Sequence, residues 1–203
     1  KNLFPYKGYI HNYGAFPLTS EDPSVQNKDI EGVFGDGDPL DVCAIGDRVG
    51  SLCRIKRDTI LGSSALIHDG DLDWKIIAVD VEDPLADQLN DIGDVETKCP
   101  GYLDATVFWF RNYKRPDGKP ENEFAFNAKY RSLDETMEVI HECRAAWSKL
   151  ISGGSKVEKA PAIVNATLQG TPGFSDKVAD VDVRAQPKPE ASVPVDLDRS
   201  YFL

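Results

Sequence analysis

The segment Thr59–Val81, TILGSSALIHDGDLDWKIIAVDV, decides the fold of this 203-residue chain. It contains two stretches rich in β-branched and apolar residues, Thr59–Ile67 and Trp74–Val81, on either side of a polar turn at Gly70. Such stretches between turn residues are typical of neighbouring β-strands. We expect another short strand at Leu52–Ile55. Together these strands predict a small antiparallel sheet or a closed β-barrel.

Two helices are predicted in the second half of the chain. Tyr102–Tyr113 has helical periodicity and is followed by helix-breaking residues. Leu133–Ser152 begins after Ser132, which forms a capping-box pattern with Glu135, and it ends before Gly153. The helices are expected to flank the sheet.

The whole chain is expected to form one domain, residues 1–203, because 22.4 kDa is a usual size for a single core. The predicted class is mainly β with flanking helices (α+β). The predicted architecture is a small closed OB-like barrel with two main helices and an extended C-terminal tail at 155–203, where prolines are frequent and periodicity is weak.

Composition excludes several functional classes. The net charge of −11 argues against nucleic-acid binding, which needs clusters of Lys and Arg. No apolar run reaches the about 18 residues of a membrane-spanning helix, and no signal-peptide pattern is present, so we expect no membrane partner and a cytoplasmic location. The cysteines have no close pairing and are expected to be reduced: Cys43, Cys53, Cys99 and Cys143.

An acidic motif at 35–42, GDGDPLDV, is the first candidate site. Its three carboxylates, Asp36, Asp38 and Asp41, repel one another unless a cation lies between them. Oxygen ligands of this kind suit Mg²⁺ or Mn²⁺ and not zinc. Bound cations would also make this acidic site attractive to a small phosphate ligand.

Three other interpretations of this motif are an acidic turn, a calcium loop and a phosphatase nucleophile motif. It can be an acidic surface turn, since Asp and Gly are common in turns. A calcium EF-hand loop is excluded by Leu40 and Asp47 at two ligand positions. A phosphatase with an aspartate nucleophile would need a longer buried strand before the motif than Val33–Gly35 provides.

A second acidic stretch, His68–Lys75, precedes the strand at Trp74–Val81. Asp73 and Lys75 are two residues apart on one extended segment and therefore share a face. One can hold a metal ion while the other contacts a phosphate oxygen, although a plain turn before a strand would show the same letters. Tyr113 and Lys114 end the first predicted helix and form either a phosphate contact or a solvated helix end.

Four segments together resemble the family I soluble inorganic pyrophosphatases in their animal and fungal form. They are Asn2–Pro17 (NLFPYKGYIHNYGAFP), Asp36–Val42 (DGDPLDV), Asp71–Lys75 (DLDWK) and Tyr113–Phe126 (YKRPDGKPENEFAF). The resemblance extends from Lys1 to about Ile151 and is weaker in the tail. It implies that the chain hydrolyses inorganic pyrophosphate to two phosphates with several Mg²⁺ ions per site and a metal-activated water.

The resemblance also implies a role for each site residue. Asp36, Asp41 and Asp73 match the carboxylates that hold Mg²⁺, with Asp41 shared between two ions, and Asp38 matches the general base that acts on the water. The residues that match binders of the phosphoryl groups are Tyr13, Lys75, Tyr113 and Lys114. The family further implies a homodimer.

Two departures from the family pattern bear on activity. His68 stands where the family has a metal-binding aspartate, and Asp69 beside it is a possible substitute. The chain also begins at Lys1, so we expect it to lack an N-terminal segment that supplies strands and charged groups in the family. These departures support an alternative: a weakened relative that binds metal and phosphate or serves as an assembly subunit.

Overall fold

The computed structural model describes residues 9–115, 118–155, 169–171 and 173–177. Five strands form one sheet: β1 Asn12–Ala15, β2 Asp41–Ile45, β3 Asp58–His68, β4 Asp71–Asp80 and β5 Glu123–Phe124. Three α-helices follow or flank them: α1 Ile92–Lys98, α2 Tyr102–Asn112 and α3 Leu133–Ile151. Short 3-10 helices lie at Ala86–Gln88 and Ala125–Ala128.

The sheet has the strand order β1-β2-β4-β3-β5. β3 and β4 form the predicted antiparallel hairpin, while β2 runs parallel to β4 on its other side. The edge strands β1 and β5 are four and two residues long, and they do not pair with each other in the described part of the chain. The mainly β architecture with flanking helices is therefore confirmed, but the sheet is open and the closed barrel is not confirmed.

The predicted strand at Leu52–Ile55 is wrong. Leu52 and Ile55 are 97% and 90% exposed, and Cys53 has a φ of 60°. A positive φ is incompatible with an extended strand. Among the described residues no strand pairs with this stretch or covers its apolar side chains. Its strand-like composition is therefore not sufficient to form a strand, because strand preference depends on packing against neighbours.

Both predicted helices are confirmed. α2 ends at Asn112 with Tyr113 as its C-cap, and α3 begins after the Ser132 N-cap, whose hydroxyl and the Glu135 carboxylate form the predicted capping box. Helix α1 was not predicted. Its own capping box uses Asp91 and Asp94, which the sequence pattern did not single out.

β4 is the most buried element, since every residue from Leu72 to Asp80 is buried. One apolar cluster packs the sheet against α1 and α2 and includes Ile77, Trp109 and Phe110. A second cluster packs the opposite face against α3 through Ile76 and Cys143. The polar side chains between Leu72 and Asp80 are therefore enclosed by the core.

Several expectations concern the chain as a whole. No helix of the described residues has the length and apolar character needed to cross a membrane. All four cysteines are free, as predicted. Of the predicted tail at 155–203, only Ser155, 169–171 and 173–177 are among the described residues, so its extended conformation is not tested.

Candidate active site

A buried lysine lies at the centre of the candidate site. The Lys75 side chain is 2% exposed, and its Nζ donates hydrogen bonds to the carboxylates of Asp41 and Asp73. It also donates to the Tyr13 hydroxyl at 3.0 Å, and that hydroxyl in turn donates to Asp41. Four of the residues singled out in the sequence thus form one hydrogen-bonded group.

Strand register explains why these four residues meet. Asp41 is the first residue of β2 and lies opposite Lys75 in the parallel pairing of β2 with β4. Asp73 precedes Lys75 by two residues and therefore points to the same face. Tyr13 lies on β1, the neighbour of β2, and its ring stacks on Tyr9 with 4.1 Å between centroids.

A second group of carboxylates adjoins the first. Oxygen atoms of Glu21, Asp36 and Asp73 all lie within 4.8 Å of one another. The loop that carries Asp36 is folded tightly, because the Asp36 carboxylate accepts a hydrogen bond from the backbone N–H of Asp38 at 2.8 Å. Sequence reasoning missed Glu21, and no spacing in the sequence connects it to the acidic motif.

Aromatic side chains at the C-terminal end of α2 pack beside Lys75, and a second lysine, Lys114, lies next to them. The Phe110 ring centre lies 5.3 Å from Lys75 Nζ, and the Tyr113 ring packs edge-on against Phe110 with 5.7 Å between centroids. Lys114 Nζ lies 5.3 Å from the centre of the Tyr113 ring. The structure therefore places Tyr113 and Lys114 in the same region as Lys75.

His68 ends β3 on this side of the site. Its ring centroid is 6.3 Å from that of Tyr113, and its Nε2 lies 3.3 Å from the Asp69 carboxylate. Burial and then the charge of Lys114 lower the pKa of His68, which favours the neutral imidazole. Asp69 also accepts a hydrogen bond from Lys119, so its carboxylate is already paired with a cation.

The carboxylates of the site are held at high electrostatic cost. Burial raises the pKa of Asp73 to about 6, although Lys75 acts against this shift. Burial and then the charges of Asp36 and Asp41 raise the pKa of Asp38. Glu21 has a pKa well above its ordinary value because it is buried and because Asp36 lies beside it. Crowded carboxylates of this kind favour the binding of cations.

The lysine and tyrosine side chains of the site keep their protons. Burial alone would lower the pKa of Lys75, but the charges of Asp73 and Asp41 outweigh it and raise that pKa. Burial raises the pKa of both Tyr13 and Tyr113, so their hydroxyls stay protonated at neutral pH. Carboxylate oxygens thus lie beside a lysine and tyrosine hydroxyls that can donate hydrogen bonds to an anion. This arrangement fits divalent cations together with an anionic ligand rich in oxygen atoms.

Comparison with known proteins gives a consistent result. The sequence profile of the inorganic pyrophosphatase family matches residues 1–148. The inorganic pyrophosphatase of Candida albicans is 49% identical over 203 residues, which is all of this chain and 70% of that protein. The corresponding enzyme of Debaryomyces hansenii is 48% identical with the same coverage.

Solved structures give the same match. The structure of inorganic pyrophosphatase from Schistosoma japonicum superposes with a TM-score of 0.80 at 40% identity, covering 97% of this chain and 70% of that one. An N-terminally truncated vacuolar soluble pyrophosphatase of Trypanosoma cruzi, solved in complex with pyrophosphate, has a TM-score of 0.67 at 38% identity. The match to the second structure covers 70% of this chain and 53% of that one.

Proposed function

The chain belongs to the inorganic pyrophosphatase family and hydrolyses pyrophosphate to two phosphates, and we propose that it does so with Mg²⁺ ions held by Asp36, Asp41 and Asp73. The three residues supply carboxylate oxygens, which are the ligands that Mg²⁺ prefers. When bound, the ions neutralise phosphate charge and lower the pKa of water. The observation that carries this proposal is the convergence of Asp41 and Asp73 on the buried, positively charged Lys75, with Asp36 beside Asp73.

Asp38 is the proposed general base. It lies on the same loop as Asp36, and its pKa is raised above the ordinary value. A carboxylate with a raised pKa takes a proton from an attacking water more readily than an ordinary one. In this role Asp38 orients the water and accepts its proton at a carboxylate oxygen.

Lys75, Tyr13, Tyr113 and Lys114 are the proposed contacts to the phosphoryl oxygens. Lys75 carries a charge held within the core, and the two tyrosines keep their protons because their pKa values are raised. Such donors stabilise the negative charge that develops on the leaving phosphate. The pyrophosphate complex of the Trypanosoma cruzi relative supports this assignment of ligand.

We also propose that residues 1–203 belong to one pyrophosphatase domain and that the enzyme acts as a cytoplasmic homodimer. The resemblance to the animal and fungal enzymes supports the dimer, and the four free cysteines fit a reducing compartment. The relatives do not favour the alternative of a weakened binding or assembly subunit, since those that match over the full chain are named as pyrophosphatases.

Phosphate release from pyrophosphate, titrated with Mg²⁺, tests the metal proposal. We expect release to rise with Mg²⁺ to saturation and to stop when EDTA is in excess, because without cations the negatively charged carboxylates repel the negatively charged pyrophosphate. Mn²⁺ should support turnover through the same oxygen ligands. Release that is unaffected by EDTA would contradict the metal assignment.

Replacing His68 with aspartate tests whether this position faces a metal ion. We expect His68→Asp to lower the half-saturating Mg²⁺ concentration several-fold, because it adds a carboxylate oxygen and a negative charge. One unit charge at about 4 Å and an effective dielectric of about 20 corresponds to about 4 kcal/mol, which is an upper guide. The quantity to measure is the Mg²⁺ dependence of the initial rate.

His141→Asp is the matched control, since His141 is exposed on α3 and the substitution makes the same chemical change. It should leave the Mg²⁺ dependence unchanged. An unchanged or higher half-saturating concentration in His68→Asp would show that a metal ion is held without this position.

A further inference from the structure

We propose that Glu21 is a positioning residue for the pyrophosphatase site: it fixes the loop that carries Asp36 and Asp38 against the strand that carries Asp73. This inference rests on the proposed metal-binding function of those carboxylates. Glu21 itself makes none of the phosphate contacts proposed for Tyr13, Lys75, Tyr113 and Lys114.

The Glu21 side chain fills a gap in the backbone pairing of β4. On one side of β4, Leu72 N–H donates to the carbonyl of Phe34 at 2.7 Å, and the pairing with β2 begins only at Lys75. Between these points the N–H of Trp74 donates to Glu21 Oε1 at 2.8 Å. A buried N–H without a partner is costly, so the carboxylate satisfies a group that the loop at 36–40 leaves unpaired.

The backbone of Glu21 holds that same loop. Its N–H donates to the carbonyl of Asp38 at 2.9 Å, and its carbonyl accepts from the N–H of Gly37 at 2.9 Å. The preceding residue, Ser20, donates its N–H to the carbonyl of Cys143 on α3 at 3.0 Å. Glu21 therefore connects the loop, β4 and the segment anchored on α3.

The loop and Glu21 are packed too closely for either backbone to shift independently. Glu21 is 3% exposed, and a Cβ added at Gly35 would lie 2.5 Å from the carbonyl carbon of Glu21. The loop backbone is thus in direct contact with the backbone of Glu21. Because Asp36 and Asp73 come from separate segments, this contact sets the separation of their carboxylates.

The length of the Glu21 side chain, and not its charge, is the property that this role requires. Glu21→Gln keeps an oxygen at the same reach, so its amide oxygen accepts the Trp74 N–H and its amide NH₂ faces Asp36. Glu21→Asp keeps the charge but is one methylene shorter and cannot reach Trp74. Losing a partner that orients metal ligands typically costs about 10- to 100-fold in metal affinity.

The experiment compares Glu21→Gln with Glu21→Asp in the full chain. The Mg²⁺ dissociation constant is measured by titration calorimetry, and the Mg²⁺ dependence of phosphate release is measured separately. We expect Glu21→Asp to weaken Mg²⁺ binding by about tenfold or more and Glu21→Gln to stay within about threefold of the unmodified chain. kcat at saturating Mg²⁺ should fall less than the affinity, since the phosphate contacts are intact.

Val95→Ala is the control for general destabilisation, because Val95 is fully buried on α1 and is not one of the residues assigned to the site. It should lower the thermal midpoint without changing Mg²⁺ affinity. Equal weakening in Val95→Ala, or normal affinity in Glu21→Asp, would overturn the positioning role.

A larger loss of affinity in Glu21→Gln than in Glu21→Asp would also overturn the proposal, because it would make the Glu21 carboxylate a metal ligand itself. Titration calorimetry measures Mg²⁺ binding without requiring hydrolysis, so the role of Glu21 is tested separately from the proposed function. If the unmodified chain binds Mg²⁺ but the cation has no effect on phosphate release, the proposed function fails while the comparison of the two variants still decides the role of Glu21.

Discussion

Asp38→Asn is expected to lower kcat for pyrophosphate hydrolysis by about 10²- to 10⁴-fold, the usual contribution of a general base. Asparagine has nearly the same size and keeps the backbone N–H that donates to the Asp36 carboxylate, so the loop should keep its shape. Its amide cannot accept the proton of the attacking water. The quantities to measure are kcat at saturating Mg²⁺ and the thermal midpoint.

Asp104→Asn provides the matched control. Asp104 is exposed in the first turn of α2, so this substitution makes the same change of charge and shape away from the carboxylate group. Its kcat should equal that of the unmodified chain. If Asp38→Asn retains most of its activity with an unchanged thermal midpoint, another group takes the proton and the assignment of Asp38 is wrong.

The elements predicted correctly are those whose sequence patterns lie within the element or directly beside it. The strands β3 and β4 follow from runs of β-branched residues on both sides of a glycine turn. The helix at 133–151 follows from the Ser132 and Glu135 capping box, which spans four residues. In both cases the information lies within a few residues of the element itself.

The wrong strand and the unconfirmed barrel depend on contacts between distant segments, whereas helix α1 was missed because it is short. Leu52–Ile55 has the composition of a strand, but pairing depends on another segment lying beside it, and none does so in the described chain. Whether a sheet closes depends likewise on contacts between its edge strands β1 and β5. Helix α1 is seven residues long, too short for a clear periodic pattern.

In the site, too, contacts between nearby residues were predictable and contacts between distant segments were not. Asp73 and Lys75 share a face because of their spacing, and the sequence predicted this correctly. The meeting of Lys75 with Asp41 depends on the parallel register of β2 and β4. The sequence predicted an antiparallel sheet, and only the family resemblance implied that the two residues belong to one site. The contact between Glu21 and Trp74 joins residues 53 positions apart through one hydrogen bond, and no local pattern signals it.

Lys75→Met is expected to destabilise the protein by about 3–5 kcal/mol in the absence of divalent cations, the usual cost of removing one partner of a buried ion pair. Methionine fills a similar volume but leaves the carboxylates of Asp41 and Asp73 facing each other without a cation. The free energy of unfolding in urea with EDTA present measures this effect. Pyrophosphate hydrolysis should also fall by about 10²-fold or more, because a charged contact to the phosphate is lost.

The loss of stability should depend on pH. The pKa of Asp73 is about 6 in the folded chain, above the ordinary value of 3.8, so the folded state binds protons more tightly and loses stability as the pH rises through that pKa. Without Lys75, which acts to lower it, this pKa rises further. The difference in stability between Lys75→Met and the unmodified chain should therefore be small near pH 4 and grow toward pH 8.

A control and a cation titration complete this test. Lys129→Met removes a charge at an exposed position and should change stability little at any pH. Added Mg²⁺ should restore part of the stability of Lys75→Met, because a cation among the carboxylates replaces the missing charge. A deficit that is independent of both pH and Mg²⁺ would mean that Lys75 contributes through packing in β4, and the electrostatic account of the site would then be wrong.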